Sequence, residues 1–168
     1  AQEMIRIAAA RAKKSGLRSA QFTCASIFDF KFPKSGFDVI SANGFIEYVS
    51  LAQLDVFLEA AHRGLRRDGA LILGSRNRLF NIFSLNQFTR DELDAGSAEP
   101  LLAEAVAWAS GLDLRNSRGI RPAALPKKAR KQTNTGIDVS QRHQYTPLQI
   151  AQLLRRHGPA LHQDRGQG

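Results

Sequence analysis

Small and polar residues follow three apolar runs of the chain. They are Ser26-Ile27-Phe28-Asp29, then Ala42-Asn43-Gly44-Phe45, and finally Ser75-Arg76-Asn77. In an open parallel sheet, ligands bind at the carboxyl ends of the strands, so these three places form the candidate site. Small or polar residues beside aromatic rings suit a ligand that carries a flat ring and polar substituents.

Acid–base groups are present, but none is assigned a catalytic role. Glu47, Tyr48, His143 and Tyr145 have side chains that can exchange protons. A lone histidine or tyrosine more often serves the fold, so the catalytic residues stay unassigned. We expect no metal site, because the four histidines lack the spacing of metal ligands.

The elements that must position these residues alternate between helix and strand. Apolar residues at helical spacing predict a helix over Gln2–Lys14. A short apolar run predicts a strand over Ala20–Ile27, with Cys24 as an inert core residue. The run Phe37–Ser41 predicts a second strand, which leads into the small-residue turn after it.

A helix and a third strand complete this pattern. Ser50, with Gln53 three residues later, predicts a capped helix that ends with Arg66 and Arg67 at its negative end. Ala70–Gly74 then predicts a strand. Because the strands are apolar on both faces, the predicted fold class is α/β. We expect an incomplete Rossmann-like open parallel sheet with helices on both faces, followed by a C-terminal helical and basic-loop region.

The alternation stops after Ser75. The segment Arg76–Phe88 combines Arg, Asn and Phe. Thr89 as the cap, with Glu92 three residues later, predicts the start of a short helix, and Pro100–Ser110 predicts an amphipathic helix. Thr146 then caps a last helix, with a proline at its first position. The predicted domains are an α/β core over residues 1–90, a helical insertion with basic loop and final helix over 91–158, and a disordered tail over 159–168.

The net charge of +9 is concentrated in one segment. Residues 115–131 hold seven basic residues and no acidic one. We interpret this segment either as a solvated loop or as a loop that contacts phosphate or RNA. The basic residues are Arg115, Arg118, Arg121, Lys127, Lys128, Arg130 and Lys131.

The composition argues against two classes of protein. One cysteine among 168 residues cannot form an internal disulfide, which indicates a reducing compartment, and we expect a cytoplasmic protein. No apolar run approaches the ~20 residues that span a bilayer, so we expect no membrane partner. The chain begins inside a helical pattern, and we expect it to be a piece of a larger protein.

The order of these elements resembles the middle of a class I S-adenosylmethionine-dependent methyltransferase. The resemblance covers residues 1–90 and rests on Phe37-Asp38-Val39-Ile40, the small-residue turn after it, the pair Glu47-Tyr48, and Gly64–Leu73. In that family, a glycine-rich loop and a ribose-binding acidic residue would precede Ala1. The resemblance implies S-adenosylmethionine as the cofactor and methyl transfer to a small-molecule or sugar-like acceptor.

The same resemblance implies roles for individual residues. The turn after the first predicted strand would contact adenine, and the turn after the second would contact the methionyl end of the cofactor. The segment Arg76–Phe88 would lie over the acceptor, with Arg78 available for an anionic group and phenylalanines excluding water. The implied cofactor residues are Ser26, Ile27, Asp29, Ala42, Asn43 and Gly44, and the implied acceptor residues are Arg76, Asn77 and Tyr145; the phenylalanines are Phe80, Phe83 and Phe88.

Two other functions stay open. One is an RNA methyltransferase, which the basic segment Arg115–Lys131 would support through phosphate contacts. The other is a non-catalytic module that keeps the α/β scaffold but binds nucleic acid or a protein partner. The partners predicted from the sequence are therefore a small-molecule substrate and, through the basic segment, nucleic acid.

Overall fold

In a computed structural model, the chain is described over residues 2–125 and 143–157. It divides into two compact units, Ala1–Lys31 and Phe32–Gly168. The predicted boundary between residues 90 and 91 stays a prediction. The predicted tail over 159–168 and the part of the basic segment beyond Leu125 lie outside the described residues.

The first unit contains one helix, α1, over Gln2–Lys14, as predicted. The helix ends because Gly16 adopts a positive φ of 74°. Its N–H donates to the Lys13 carbonyl, and the Leu17 N–H donates to the Ala12 carbonyl. These two bonds satisfy carbonyls that the helix leaves unpaired, in the usual glycine-terminated arrangement.

The strand predicted over Ala20–Ile27 is wrong. These residues have no regular secondary structure, and the chain turns at Ser26–Asp29. The Asp29 and Phe30 N–H groups both donate to the Ser26 carbonyl, and Phe28 N–H donates to the Ser26 hydroxyl. A serine that bonds the backbone locally competes with a strand ladder. Cys24 is exposed, so the prediction that it lies in the core is also wrong.

The second unit begins with a β–α–β arrangement. Strand β1, Phe37–Asn43, is followed by helix α2, Leu51–Gly64, and strand β2, Leu65–Gly74. The two strands are parallel, with Val39 opposite Ala70 and Asn43 opposite Gly74. A parallel pair needs a crossover connection, which α2 supplies. The fold is therefore α/β with a small open parallel sheet, consistent with an incomplete Rossmann-like fold, and the predicted fold class is confirmed.

Helix α2 ends earlier than predicted. Leu65 is extended and buried, and it pairs with Phe37, so Arg66 belongs to β2 and not to the helix. The favourable placement of a cation at a helix end contributes only about 0.3–1 kcal/mol, whereas burying a leucine contributes about 1.5–3 kcal/mol. The adjacent Arg67 likewise belongs to β2 and not to the helix. Arg66 instead donates to both carboxylate oxygens of Asp38, at 2.7 and 2.8 Å, where the register between the strands shifts.

Helix α2 forms the core against one face of the sheet. The predicted capping box is confirmed, because the Ser50 hydroxyl accepts from Gln53 N–H and the Gln53 side chain accepts from Ser50 N–H. The opposite sheet face is half exposed at Val39 and Ile72. The buried residues of α2 are Leu54, Phe57, Leu58, Ala61 and Gly64.

Four helices follow the sheet in the part of the chain that the structure describes. They are α3 (Phe80–Phe83), α4 (Gln87–Asp94), α5 (Ala98–Ala109) and α6 (Pro147–Arg156). A 3-10 turn over Leu114–Gly119 lies between the last two. Leu79, Leu101 and Ala123 form a second core cluster in this region. Within the described ranges, no helix is both long and apolar enough to cross a bilayer.

Two helix starts test the predicted caps. Thr146 caps α6 through Gln149, with Pro147 at the first position, as predicted. For α4 the predicted cap, Thr89, is wrong. The cap is Asn86, whose side chain accepts from Phe88 N–H at 2.9 Å, whereas the Thr89 hydroxyl donates to the Asn81 carbonyl at 2.6 Å.

Candidate functional site

The carboxyl ends of β1 and β2 lie side by side. Gly44 N–H donates to the Gly74 carbonyl at 3.0 Å, one residue beyond the last register pair. Gly44 has a positive φ of 62°, a conformation that glycine adopts without strain. A Cβ atom at Gly44 would have no neighbouring atom within 4 Å, so the backbone here is open to a ligand. Asn43 beside it is exposed.

Gly74 requires its lack of a side chain for a different reason. A Cβ atom at this position would lie 2.6 Å from Oδ1 of Asn43 and 3.3 Å from its Cα atom. Real atoms do not approach so closely, so a larger residue would displace Asn43. The absence of a side chain at Gly74 therefore leaves room for the Asn43 amide at the tip of β1.

Glu47 joins three segments at this end of the sheet. It lies in a 3-10 turn over Ile46–Tyr48, and its side chain is only 6% exposed. One carboxylate oxygen accepts from Arg76 N–H at 2.9 Å, and its backbone carbonyl accepts from His143 N–H at 2.7 Å. The other carboxylate oxygen lies 3.9 Å from Nε of Arg76. Glu47 thereby holds the residues after β2 and the residues before α6.

The predicted site did not include Glu47, although it was noted as an acid–base group. A signal for it exists in the sequence, because an acidic residue directly follows an apolar pair after the small-residue turn. A buried carboxylate needs hydrogen-bond partners, and one partner of Glu47 is a backbone N–H just after the neighbouring strand. That pairing joins positions 29 residues apart, so the sequence alone does not reveal it.

The structure brings together Asn77 and Tyr145, two of the three predicted acceptor residues. They form an isolated parallel bridge, and Arg78 N–H donates to the Tyr145 carbonyl at 3.0 Å. Arg76, the third, is one residue away and has a half-exposed side chain. The Asn77 side-chain oxygen accepts from Leu79 N–H, which leaves its amide nitrogen for other contacts.

Burial changes the acid–base character of two side chains near this bridge. Tyr145 is 1% exposed, and burial together with the negative charge of Asp55 raises the pKa of its hydroxyl to about 12. That hydroxyl has no hydrogen-bond partner within the described residues. Burial also lowers the pKa of His143, whose ring centre lies 6.1 Å from that of Tyr145. Both side chains are therefore held neutral near pH 7.

Arg78 does not face an acceptor, which corrects its predicted role. It is 2% exposed and donates to both carboxylate oxygens of Glu92, at 3.0 and 2.6 Å. Its remaining nitrogen donates to the Ala124 carbonyl at 2.7 Å. Each nitrogen of its guanidinium therefore donates to an oxygen inside the protein. This pairing matters because an unpaired buried guanidinium would be strongly destabilising.

The phenylalanines after Arg78 also differ from the prediction. Phe80 and Phe83 are 70% and 60% exposed, so they do not shield a site from water. Phe88 is half-buried in α4. Helix α3 has a single turn, and its Phe80 and Phe83 side chains are both exposed, so the three phenylalanines do not enclose a site.

The residues implied for adenine lie in the first unit. Ser26, Ile27 and Asp29 share one turn, in which the Ser26 hydroxyl and the Asp29 carboxylate are exposed. Ala42, Asn43 and Gly44 belong to the second unit, together with the acceptor residues. The predicted site residues thus form two groups, one in each unit.

Within the parts of the chain that the structure describes, no group of three or more His, Cys, Asp and Glu side chains is placed to hold a metal ion. The polar groups at the strand ends are instead backbone amides, a carboxamide and a guanidinium. Such groups bind organic ligands through hydrogen bonds.

Comparison with known proteins identifies one part of the chain. Residues 1–69 match the family model described as a methyltransferase domain. The match includes α1, β1, Glu47 and α2, and it ends in β2. No curated protein and no solved structure matches the chain significantly.

Proposed function

We propose that this chain, whose residues 1–69 match a methyltransferase domain of the class I S-adenosylmethionine-dependent type, serves methyl transfer from S-adenosylmethionine to a small-molecule or sugar-like acceptor. The observation that carries the proposal is the open end of β1 beside the end of β2, at Asn43, Gly44 and Gly74. This strand end falls inside the matched residues, apart from Gly74.

The residues present fit the chemistry of this cofactor. The Asn43 carboxamide offers both a donor and an acceptor, and the open Gly44 backbone admits a charged amino-acid end. The adenine contacts predicted for Ser26, Ile27 and Asp29, which lie in the first unit, stay a prediction. The role proposed for Ala42 is a contact through its backbone.

Bound S-adenosylmethionine would supply an electrophilic methyl group on a positively charged sulfur. The task of the chain is then to hold the acceptor in line with that methyl group, since alignment alone accounts for much of the acceleration in such reactions. Glu47 serves this task by fixing Arg76 through its backbone N–H. No side chain is assigned as a base.

Arg76 and Asn77 are the proposed contacts to the acceptor. The half-exposed guanidinium of Arg76 and the free amide nitrogen of Asn77 are donors, which suit hydroxyl or carboxylate oxygens of a sugar-like molecule. Tyr145 acts differently from the expectation, as a positioning residue: its hydroxyl is buried, and its backbone carbonyl holds the segment after Asn77.

Calorimetric titration of the full chain with S-adenosylmethionine tests the cofactor. We expect Asn43→Ala to weaken binding about tenfold, as for loss of a hydrogen bond to a charged group. Ser41→Ala is the matched control, because Ser41 is exposed on the same face of β1, two residues earlier. Gly74→Ala should weaken binding similarly by displacing Asn43. No heat at millimolar cofactor, or equal loss in Ser41→Ala, would overturn the proposal.

The acceptor class needs a separate assay with labelled methyl groups. Small hydroxylated and sugar-like compounds are offered in one set of reactions and single-stranded RNA in another. Label in the small compounds, reduced by Arg76→Ala while cofactor binding persists, supports the proposed acceptor. Label in RNA alone would instead favour an RNA methyltransferase and contradict the small-molecule acceptor.

A further inference from the structure

A cavity of about 370 Å³ lies between α6 and the segment Arg121–Leu125. It is separate from the strand ends, since its lining contains none of the residues from β1, β2 or the Asn77–Tyr145 bridge. Its volume is within the range of sites that bind small organic molecules, about 300–1,000 Å³.

Two arginines give this cavity its charge. Arg121 and Arg156 both line it, and both side chains are exposed. Neither forms an ion pair with another residue in the ranges 2–125 and 143–157. The described lining residues include no acidic side chain, and the third polar group at the surface is the Gln152 carboxamide. A concave surface with two unpaired cations attracts an anion.

Two hydrogen bonds from side chains hold the backbone of one cavity wall, at Ala123 and Ala124. The Gln149 side chain donates to the Ala123 carbonyl at 2.7 Å, and buried Arg78 donates to the Ala124 carbonyl at 2.7 Å. The backbone of this wall is therefore fixed before any ligand binds. A preformed site loses less conformational entropy on binding than one that must be ordered.

Apolar groups complete the lining. Pro122, Leu125 and Leu153 lie among the polar residues. A simple inorganic ion would leave these side chains without a partner, whereas a molecule with an organic part would cover them. The lining thus combines two cationic side chains with apolar surface.

We propose that this cavity binds the phosphate group of a small phosphate monoester, with Arg121 and Arg156 on the phosphate and the apolar residues on the organic part. A monoester carries about −1.5 to −2 charges at pH 7, which two guanidinium groups match. Planar guanidinium groups also bind phosphate oxygens in pairs. The proposal depends on the cavity alone and not on methyl transfer.

Titration of the full chain with phenyl phosphate, followed by NMR shifts of α6 resonances, tests the site. Phenol serves as the neutral probe that keeps the ring. We expect phenyl phosphate to bind, phenol to bind at least tenfold more weakly, and Arg121→Ala and Arg156→Ala each to weaken phenyl phosphate about tenfold. Arg90→Ala is the control for net charge, since Arg90 is exposed in α4 and does not line the cavity.

Three results would overturn the proposal. The first is an equal loss in Arg90→Ala, which would indicate a general charge effect. The second is an absence of shifts with phenyl phosphate up to tens of millimolar, because a built site must hold its probe at that concentration. The third is binding of single-stranded RNA only, with an affinity that falls steeply with salt. Titration with S-adenosylmethionine in the same variants should be unchanged, so this failure and that of the proposed function are distinguishable.

Discussion

Tyr145 shows at the scale of one residue how burial, and not residue type, sets chemistry. A tyrosine near a binding site is a possible proton donor, but this hydroxyl is buried and has no partner among the described residues. Burial raises its pKa to about 12, so it stays protonated at every physiological pH. Its contribution is through packing and through its backbone carbonyl, which accepts from Arg78.

Replacing this hydroxyl should change the alkaline stability of the protein. The raised pKa means that the folded state favours the neutral hydroxyl. Its contribution to the free energy of unfolding is therefore complete below pH 10 and is lost as pH rises from about 10 to 12. At alkaline pH, the free energy of unfolding of Tyr145→Phe should therefore decrease by about 2 kcal/mol less than that of the wild type. At pH 7 its stability should be equal or slightly higher.

Urea denaturation at a series of pH values from 8 to 11.5 measures this effect. Tyr48→Phe is the control, because it removes the same hydroxyl from a side chain that is 41% exposed. A Tyr145→Phe curve that falls as steeply as the wild-type curve would contradict the assignment of the alkaline loss to Tyr145.

At the scale of elements, one buried ion pair connects segments that are distant in sequence. Arg78 follows β2, Glu92 lies in α4, and Ala124 precedes the final helix. Asn81 adds a bond to the same Glu92 carboxylate at 2.8 Å and a second bond to Gln144. This network joins the segment after β2 to α3, to α4 and to the residues on either side of the undescribed segment before α6.

Breaking that pair should be far more costly than breaking a surface pair. Glu92→Ala leaves Arg78 buried without its partner and should lower the free energy of unfolding by about 3–5 kcal/mol. Asp38→Ala is the matched control, because its pair with Arg66 is exposed on both sides and should contribute about 0–1 kcal/mol.

Denaturant unfolding of both variants measures how much each one lowers the free energy of unfolding. If Glu92→Ala is too unstable to purify, the double variant Arg78→Met with Glu92→Leu removes both charges and should recover most of the loss. Similar losses in Glu92→Ala and Asp38→Ala would show that the buried pair has no special role.

At the scale of the whole molecule, the parallel sheet has an apolar face that remains accessible. Val39 and Ile72 are 55% and 50% exposed, and within the described residues β1 and β2 pair only with each other. Parallel sheets are usually covered on both faces, and open apolar strands associate with other strands. We therefore expect the chain to self-associate as its concentration rises.

A single charge on that face should reduce the association. Ile72→Lys places an ammonium group on the accessible sheet face and should lower the apparent mass measured by light scattering at high protein concentration. Val56→Lys is the control, since Val56 is equally exposed, at 54%, but lies on α2. Equal effects of the two lysines would mean that added charge, and not the sheet face, controls association.

The sequence by itself was sufficient for several features whose deciding contacts are local. The bounds of α1, the capping box at Ser50, the cap at Thr146, and the small-residue turn at the end of β1 all follow from residues within four positions of one another. The α/β class followed as well, because short apolar runs between amphipathic helices leave few other arrangements. Family resemblance over the first part of the chain was readable for the same reason.

Tertiary structure decided other features, because their partners are far apart in the chain. Leu65 is extended and not helical since it is buried opposite Phe37, and Glu47 belongs to the site since its partner is Arg76, 29 residues later. Arg78 is an internal ion-pair partner and not an anion ligand because Glu92 lies within reach only after folding. The type of a side chain determines which bonds it is able to form, but only the fold determines which partner, or water, it contacts.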